Sequence, residues 1–408
     1  MDIKEISGGV CAAKGFKAAG IHCGIRKNKN KKDLALIVSD TRAASAAVYT
    51  KNLVKGAPLI VTERNLADGF ASAVVCNSGN ANTCNADGEY IAAKMCELVA
   101  HSTGIAADDV IIASTGVIGQ PLDVAPIESA MPQLAARLDT SASGSLSAAQ
   151  AIMTTDTFAK EIAVEFELGG VRCVIGGMAK GSGMIHPDMA TMLVFITTDA
   201  DIASDVLSKA LVRDVKDSFN MLSVDGDTST NDMVSIMANG MAENKKIEGP
   251  GPDYDKFCAA VAHVTNALCR MIAKDGEGAT KLLECTVSGA ESRDTARIAA
   301  KAVICSSLVK TAMYGADANW GRVLCAIGYC GTPVNVKKID VEFRSAAGAI
   351  TVCKDGAGVV FSEQKAKEIL LCDEITIAVN LNSGTESATA WGCDLTHGYI
   401  DINSDYRT

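Results

Sequence analysis

Apolar residues recur along this chain with two periods, one typical of helices and one typical of strands. Apolar residues three or four positions apart predict amphipathic helices over residues 89–101, 126–138, 203–219, 254–273 and 293–313. Short runs rich in β-branched residues predict strands over residues 33–39, 73–76, 110–113, 171–179, 192–199, 339–343, 350–353, 375–381 and 398–402. Because helices and strands alternate, the pattern predicts a mixed α/β protein. Short strands dominate from about residue 334, and we expect a smaller α/β unit at about 285–408.

Several predicted strands and helices end in short segments rich in glycine, threonine and asparagine. These segments are N-S-G-N-A-N at 77–82, S-T-G at 114–116, M-T-T-D-T at 153–157, D-G-D-T-S-T-N-D at 225–232 and D-G-E-G-A-T-K at 275–281. Spacing alone predicts no more than turns here, because Gly, Asn and Asp favour turns in any protein. The segment at 225–232 is not a calcium loop, since Thr230 and Ile236 stand where that loop needs glycine and glutamate.

The stretch K-G-S-G-M-I-H-P-D-M-A-T, from Lys180 to Thr191, connects two predicted strands. It lacks the G-x-x-x-x-G-K-[ST] spacing of a phosphate-binding loop. A threonine hydroxyl is a weak nucleophile unless a base activates it, and a free N-terminal amine is one such base. Cleavage of the Ala190–Thr191 bond would create that amine, and the Thr191 hydroxyl is well placed to attack the Ala190 carbonyl. Spacing alone is equally consistent with an ordinary turn before a strand.

The stretch from Lys180 to Leu193 resembles the K-G-[SA]-G-M-I-x-P-x-M-A-T-M-L signature of the ornithine acetyltransferase family of arginine biosynthesis. The other polar segments resemble strings of the same family, so the resemblance covers nearly the whole chain. It implies a layered α/β fold of sheets between helices, similar to self-cleaving N-terminal-nucleophile enzymes. It also implies an α chain of residues 1–190, a β chain of residues 191–408 and an α2β2 heterotetramer.

The resemblance also implies roles for individual residues. Thr191 is expected to be the nucleophile, with its own α-amine as the base, and Thr115 and Gly116 are expected to stabilise the oxyanion. The expected substrate-binding residues are Thr154, Lys180, Thr191, Glu277, Asn403 and Thr408. Thr155 is the alternative to Thr154. A cation at Lys180 would lower the pKa of the new α-amine and let it accept a proton at neutral pH.

The implied reaction moves an acetyl group from N-acetylornithine to glutamate through an acetyl-Thr191 intermediate, without an organic cofactor or a metal. The sequence leaves open whether acetyl-CoA is also a donor. It also leaves two alternatives: a self-cleaving aminopeptidase or amidase of related fold, and a non-catalytic α/β binding protein. Cleavage into two chains separates the acetyltransferase and the aminopeptidase or amidase from the binding protein. Acyl transfer to glutamate, measured against hydrolysis, separates the acetyltransferase from the aminopeptidase or amidase.

Composition excludes several other classes of function. The net charge of −10 argues against a nucleic-acid partner, because phosphate binding requires clustered Lys and Arg. The N-terminus does not resemble a signal peptide, and no apolar run reaches the ~18 residues of a membrane helix. The 15 cysteines are scattered without C-x-x-C spacing, which is typical of buried thiols in a reducing compartment. We therefore expect a cytoplasmic protein with no metal site and no membrane association.

Overall fold

The computed structural model describes residues 3–186 and 192–404. The strands in this part of the chain are β1 (Lys4–Ile6), β2 (Phe16–Ile21), β3 (Leu34–Tyr49), β4 (Phe70–Asn80), β5 (Val110–Val117), β6 (Lys160–Leu168), β7 (Val171–Lys180), β8 (Leu193–Thr198), β9 (Leu222–Ser223), β10 (Met233–Ala238), β11 (Leu282–Ala290), β12 (Asp340–Ser345), β13 (Gly348–Lys354), β14 (Ala357–Gly358), β15 (Glu374–Asn380) and β16 (Glu386–Cys393).

The α-helices in the same part are α1 (Ala57–Asn65), α2 (Gly88–Thr103), α3 (Ala125–Ala136), α4 (Ala142–Ile152), α5 (Ser204–Val215), α6 (Pro252–Lys274), α7 (Arg293–Cys305), α8 (Ser307–Tyr314), α9 (Trp320–Gly328), α10 (Glu363–Leu370) and α11 (His397–Ser404). Among them, none combines the length and the apolar character that a membrane crossing requires.

The strands form two sheets that share one hydrophobic core. The first sheet has the order β1-β6-β7-β8-β10-β3-β4-β5, with β2 also paired to β3, and the second has the order β14-β13-β12-β15-β11-β16-β9. Helix α6 packs against β6 and β7 of the first sheet and against β11 and β16 of the second. Helix α4 packs against β2 and β3. These layers confirm the predicted mixed α/β sandwich.

Strand β8 illustrates why successive positions of a central strand are apolar. Leu193 and Phe195 belong to the core cluster that includes α4, whereas Val194 and Ile196 belong to the cluster that includes α6. Because successive side chains point to opposite faces and both faces are covered, every position favours an apolar residue.

Three of the predicted elements are divided, of another type or shorter at one end in the structure. The helix predicted over 293–313 is two helices, because the backbone of Ser306 is extended (ψ 111°) and its side chain caps α8 by accepting a hydrogen bond from Val309 N. The strand predicted over 398–402 lies within helix α11, whose first turn is capped by Thr396 Oγ1 accepting a hydrogen bond of 3.0 Å from Gly398 N. The helix predicted to extend to residue 219 ends at Val215 and is followed by a short 3₁₀ turn.

The second sheet draws on a wider stretch of sequence than the expected C-terminal unit. Its strand β11 begins at Leu282, but its edge strand β9 comes from residues 222 and 223. The bounds proposed for that unit, about 285–408, therefore omit part of the sheet.

Candidate active site

A cavity of about 290 Å³ lies where the ends of β5, β7 and β8 meet the loop before β10. It is lined by Ala81, Thr115, Gly116, Ile118, Thr154, Thr155, Lys180, Gly183, Met184, Ile185, Met192, Leu193, Ser229, Thr230, Asn231, Asp232, Glu277 and Asn403.

Six of the residues predicted for the site line this cavity. They are Thr115, Gly116, Thr154, Lys180, Glu277 and Asn403. Thr155 lines it as well, so position alone does not choose between the two threonines. Ala190, Thr191 and Thr408 lie outside the described residues. The two residues that follow Thr191 in the sequence, Met192 and Leu193, are part of the lining.

Sheet register places Lys180 and the loop before β10 on either side of the start of β8. Strand β7 is antiparallel to β8 with Lys180 opposite Leu193, and β10 is parallel to β8 with Met233 opposite the same residue. Met233 N also donates a hydrogen bond of 2.8 Å to Met192 O. The lysine and the residues just before Met233 are therefore held next to the segment that follows Thr191.

The backbone at Gly116 has a conformation and a packing that only glycine allows. Its φ is +131°, and a Cβ atom there would lie 2.4 Å from the carbonyl carbon of Gly79. Gly79 faces Gly116 across the parallel pair of β4 and β5. The N-S-G-N-A-N segment thus supports the end of β5 through close backbone contact.

The side chain of Asn231 connects three of the polar segments. Its Nδ2 donates to Ala81 O at 2.6 Å and to Ser114 O at 3.0 Å, while its Oδ1 accepts from Thr83 Oγ1 at 2.5 Å and from Thr230 Oγ1 at 2.6 Å. This amide fixes the loop before β10 against the ends of β4 and β5.

Glu277 is a buried carboxylate at one side of the cavity, with only 7% of its surface exposed. Asn403 Nδ2 donates a hydrogen bond of 2.8 Å to its Oε2. The glutamate also explains Gly183, because a Cβ atom at that position would lie 2.2 Å from Glu277 Oε2.

The part of the 180–186 loop that lines the cavity is held by a carboxylate from the next polar segment. Asp225 accepts hydrogen bonds from Met184 N at 2.6 Å and from Ile185 N at 2.9 Å. Thr228 Oγ1 donates to His186 O at 2.7 Å.

The charge of Lys180 acts on two buried carboxyl groups. Burial raises the pKa of Asp232 well above its ordinary value, although Lys180 opposes that shift. Burial would also raise the pKa of Asp156, but Lys160 and Lys180 together lower it below its ordinary value. An ionised Asp156 therefore balances part of the charge of Lys180.

Comparison with known proteins gives one consistent answer. The model of the ArgJ family matches residues 17–408. The chain is 48% identical over 405 residues to the "Arginine biosynthesis bifunctional protein ArgJ" of Caldanaerobacter subterraneus subsp. tengcongensis, covering 99% of both chains. It is 46% identical over 409 residues to the protein of the same name from Bacillus subtilis, covering all of this chain and 98% of the relative.

The chain belongs to the ArgJ family. The crystal structure of the Bacillus halodurans protein named arginine biosynthesis bifunctional protein argJ matches it with a TM-score of 0.50 and 46% identity. That match covers 52% of the ArgJ-family chain described here and 98% of the Bacillus halodurans chain.

Four residues without a predicted role line the cavity or bond to segments that line it. Asp225, Asn231 and Asp232 lie in the D-G-D-T-S-T-N-D segment of this ArgJ chain, and Asp156 lies in M-T-T-D-T. The signal that could have identified them is the concentration of Asp and Asn in short segments that follow a strand or a helix, where side chains often bond backbone N–H groups. Among the described residues, no group of three His, Cys, Asp or Glu side chains is arranged to hold a metal ion.

Proposed function

We propose that this protein transfers the acetyl group of N-acetylornithine to glutamate through an acetyl-Thr191 intermediate. The observation that carries the proposal is the cavity that gathers Thr115, Gly116, Thr154, Lys180, Glu277 and Asn403 beside Met192 and Leu193. Relatives 46–48% identical over the full chain carry arginine biosynthesis in their names, which supports this reaction.

The first half-reaction forms an ester on Thr191. The α-amine of Thr191 takes the hydroxyl proton while Oγ attacks the acetyl carbonyl, and the Thr115 hydroxyl and Gly116 N–H donate hydrogen bonds to the oxyanion. When the carbon–nitrogen bond breaks, the proton passes to the leaving amine and ornithine departs. In the second half-reaction the amine of glutamate attacks the ester, and N-acetylglutamate leaves with Thr191 restored.

The cavity offers opposite charges for an amino-acid substrate. Glu277 supplies a carboxylate for an ammonium group, and Lys180 supplies an ammonium for a carboxylate. Both side chains are less than 10% exposed, so their interactions with a substrate are weakly screened. We propose that Thr154, Asn403 and Thr408 complete the binding of the substrate.

We further propose that the active protein is formed by cleavage at Ala190–Thr191 and assembles as an α2β2 heterotetramer. The matched chain of the Bacillus halodurans structure is covered almost completely, to 98%, by 52% of this chain. Residues 191–408 make up just over half of the chain, so the match has the size expected for a separate β chain.

A denaturing gel and an acetyl-transfer assay test the proposal together. The purified protein should run as two bands, with Thr191 at the N-terminus of one of them, and should convert N-acetylornithine plus glutamate into ornithine plus N-acetylglutamate. Thr191→Ala should remain a single chain and transfer no acetyl group. A second reaction with acetyl-CoA in place of N-acetylornithine determines whether acetyl-CoA is also a donor.

Two results would overturn the proposal. If Thr191→Ala is still cleaved or still transfers acetyl groups at the wild-type rate, Thr191 is not the nucleophile. If the wild type releases acetate from N-acetylornithine without acetylating glutamate, the protein is a hydrolase of related fold.

A further inference from the structure

Behind the cavity lies a buried ionic cluster formed by Asp156, Lys160 and Asp275. Lys160 Nζ is 2.6 Å from Asp156 Oδ1 and 2.6 Å from Asp275 Oδ2. The side chains of Asp156 and Lys160 are fully buried, and that of Asp275 is 3% exposed. None of the three residues lines the cavity.

Asp156 connects two of the segments that supply cavity residues. Its Oδ2 accepts a hydrogen bond of 2.8 Å from Thr154 N, and its Oδ1 accepts one of 2.8 Å from Gly181 N. One carboxylate therefore fixes the backbone of Thr154 and the backbone immediately after Lys180.

Asp275 connects the cluster to the third segment. Its carboxylate accepts a hydrogen bond of 3.0 Å from Thr157 N, and its main-chain oxygen accepts one of 2.6 Å from Ser182 Oγ. Ser182 O in turn accepts a hydrogen bond of 2.9 Å from Glu277 N. The position of Glu277 is thus tied to the 180–182 loop and, through Asp275, to Lys160.

Stability alone is a weak reason for such a cluster. Burying an ion pair costs desolvation energy that its attraction often only offsets, and apolar residues of similar volume can serve as well. A fully satisfied buried network does, however, restrict the groups around it, because a shift that breaks one of its bonds leaves a charge or a donor unpaired.

We propose that Asp156, Lys160 and Asp275 are positioning residues that hold Thr154, Lys180 and Glu277 in the arrangement that binds the amino-acid substrate. The inference rests on the proposed function for its kinetic consequence, but the coupling of the three segments can be measured without any reaction.

Amide hydrogen exchange on the whole purified protein tests the coupling. In Asp156→Asn, exchange should become faster in peptides that cover 154–157 and 180–182 and also in the peptide that covers 275–277. The matched control is Asp199→Asn, because Asp199 is also buried and accepts hydrogen bonds from two backbone amides, Val174 N at 2.7 Å and Lys14 N at 3.1 Å. Asp199 lies six residues beyond Leu193, on the order of 20 Å along β8, so its variant should affect exchange only near its own partners.

Steady-state kinetics test the consequence for binding. We expect Asp156→Asn to lower kcat/KM by roughly 10²-fold, mainly through a higher KM for N-acetylornithine and glutamate. Asp199→Asn should keep the wild-type KM. Because Asp156→Asn removes a buried charge, Ser182→Ala serves as a milder second variant that keeps all three ions and removes the bond to Asp275 O. It should speed exchange at 275–277 and raise KM about tenfold.

Each result decides the inference. The peptide that covers 275–277 decides whether the segments are coupled. If its exchange stays unchanged in both Asp156→Asn and Ser182→Ala while exchange rises at 154–157 and 180–182, the cluster does not couple the segments. If exchange rises in all three segments but KM remains at the wild-type value, the cluster is structural only. A wild type that transfers no acetyl group overturns the proposed function, whereas the exchange result still decides the coupling.

Discussion

The side-chain amide of Asn403 donates a hydrogen bond of 2.8 Å to Oε2 of Glu277, and this bond joins helix α11 to the loop after α6. Asn403 itself is exposed, whereas Glu277 is buried. The carboxylate thus faces the cavity with one oxygen already oriented by a residue from the far end of the chain.

Asn403→Ala should weaken substrate binding more than it weakens the fold. Without the amide, the Glu277 carboxylate loses the partner that orients it, and a hydrogen bond to a charged group is worth about 1.5–3 kcal/mol. We expect KM for N-acetylornithine to rise about tenfold with kcat nearly unchanged, as measured by initial rates. Ser404→Ala is the control, because Ser404 Oγ donates its hydrogen bond to Asp401 O within α11 and not to Glu277. Equal effects of the two variants would contradict a specific role for Asn403.

Gly116→Ala should abolish most of the acetyl transfer. The added Cβ would lie 2.4 Å from backbone atoms of Gly79, so the end of β5 must move and carry the Gly116 N–H away from its place. Loss of one oxyanion donor costs about 10²–10³-fold in rate. The assay is acetyl transfer at saturating substrate.

Gly119→Ala provides the comparison for Gly116→Ala. Gly119 lies two residues beyond the end of β5 and also has a positive φ, of +77°, but a Cβ atom there would meet nothing within 4 Å. We expect a loss of stability of roughly 1–2 kcal/mol from backbone strain, with a rate within about threefold of wild type. Wild-type activity in Gly116→Ala would show that the glycine is required neither for packing nor for catalysis.

The fold could be predicted where a strand or helix carries a strong pattern of its own. Residues 193–198 are apolar or β-branched because both faces of β8 are covered, and helix α6 shows its buried stripe in the sequence. The break at Ser306 could not be predicted from spacing, because the apolar stripe continues across it into α8. A single capping hydroxyl decides that boundary.

The site could be predicted only through resemblance to a family. Thr115, Thr154, Lys180 and Glu277 are separated by long stretches of sequence, and spacing contains no information that they face one cavity. The supporting network was missed for a different reason: Asp225 acts on backbone amides 40 residues away, and such contacts leave no local pattern.

Separate substitutions of Thr154 and Thr155 should identify the threonine that binds substrate. Both residues line the cavity, but the backbone of Thr154 is fixed by Asp156 Oδ2 at 2.8 Å. We therefore expect Thr154→Val to raise KM about tenfold, the cost of one lost hydrogen bond of roughly 1–1.5 kcal/mol. Thr155→Val should change KM by less than about threefold. Kinetics that show the larger effect for Thr155→Val would reverse the assignment.

The contribution of Asp214 in helix α5 to the stability of the protein should fall as pH rises from about 4 to about 6. Burial raises the pKa of this carboxyl group from 3.8 to about 6, so within that interval the folded protein keeps a proton that the unfolded chain has released. The contribution of Asp214 to the free energy of unfolding therefore decreases by on the order of 3 kcal/mol as pH rises through this interval. Above about pH 6 this contribution no longer changes with pH.

Asp214→Asn cannot titrate and should lose this part of the decrease when urea unfolding is measured across the interval. Asp205→Asn, at an exposed position of the same helix whose carboxylate pairs with Lys209, should retain the wild-type decrease. An Asp214→Asn variant that loses stability between pH 4 and 6 as steeply as the wild type would show that Asp214 ionises normally in the folded protein.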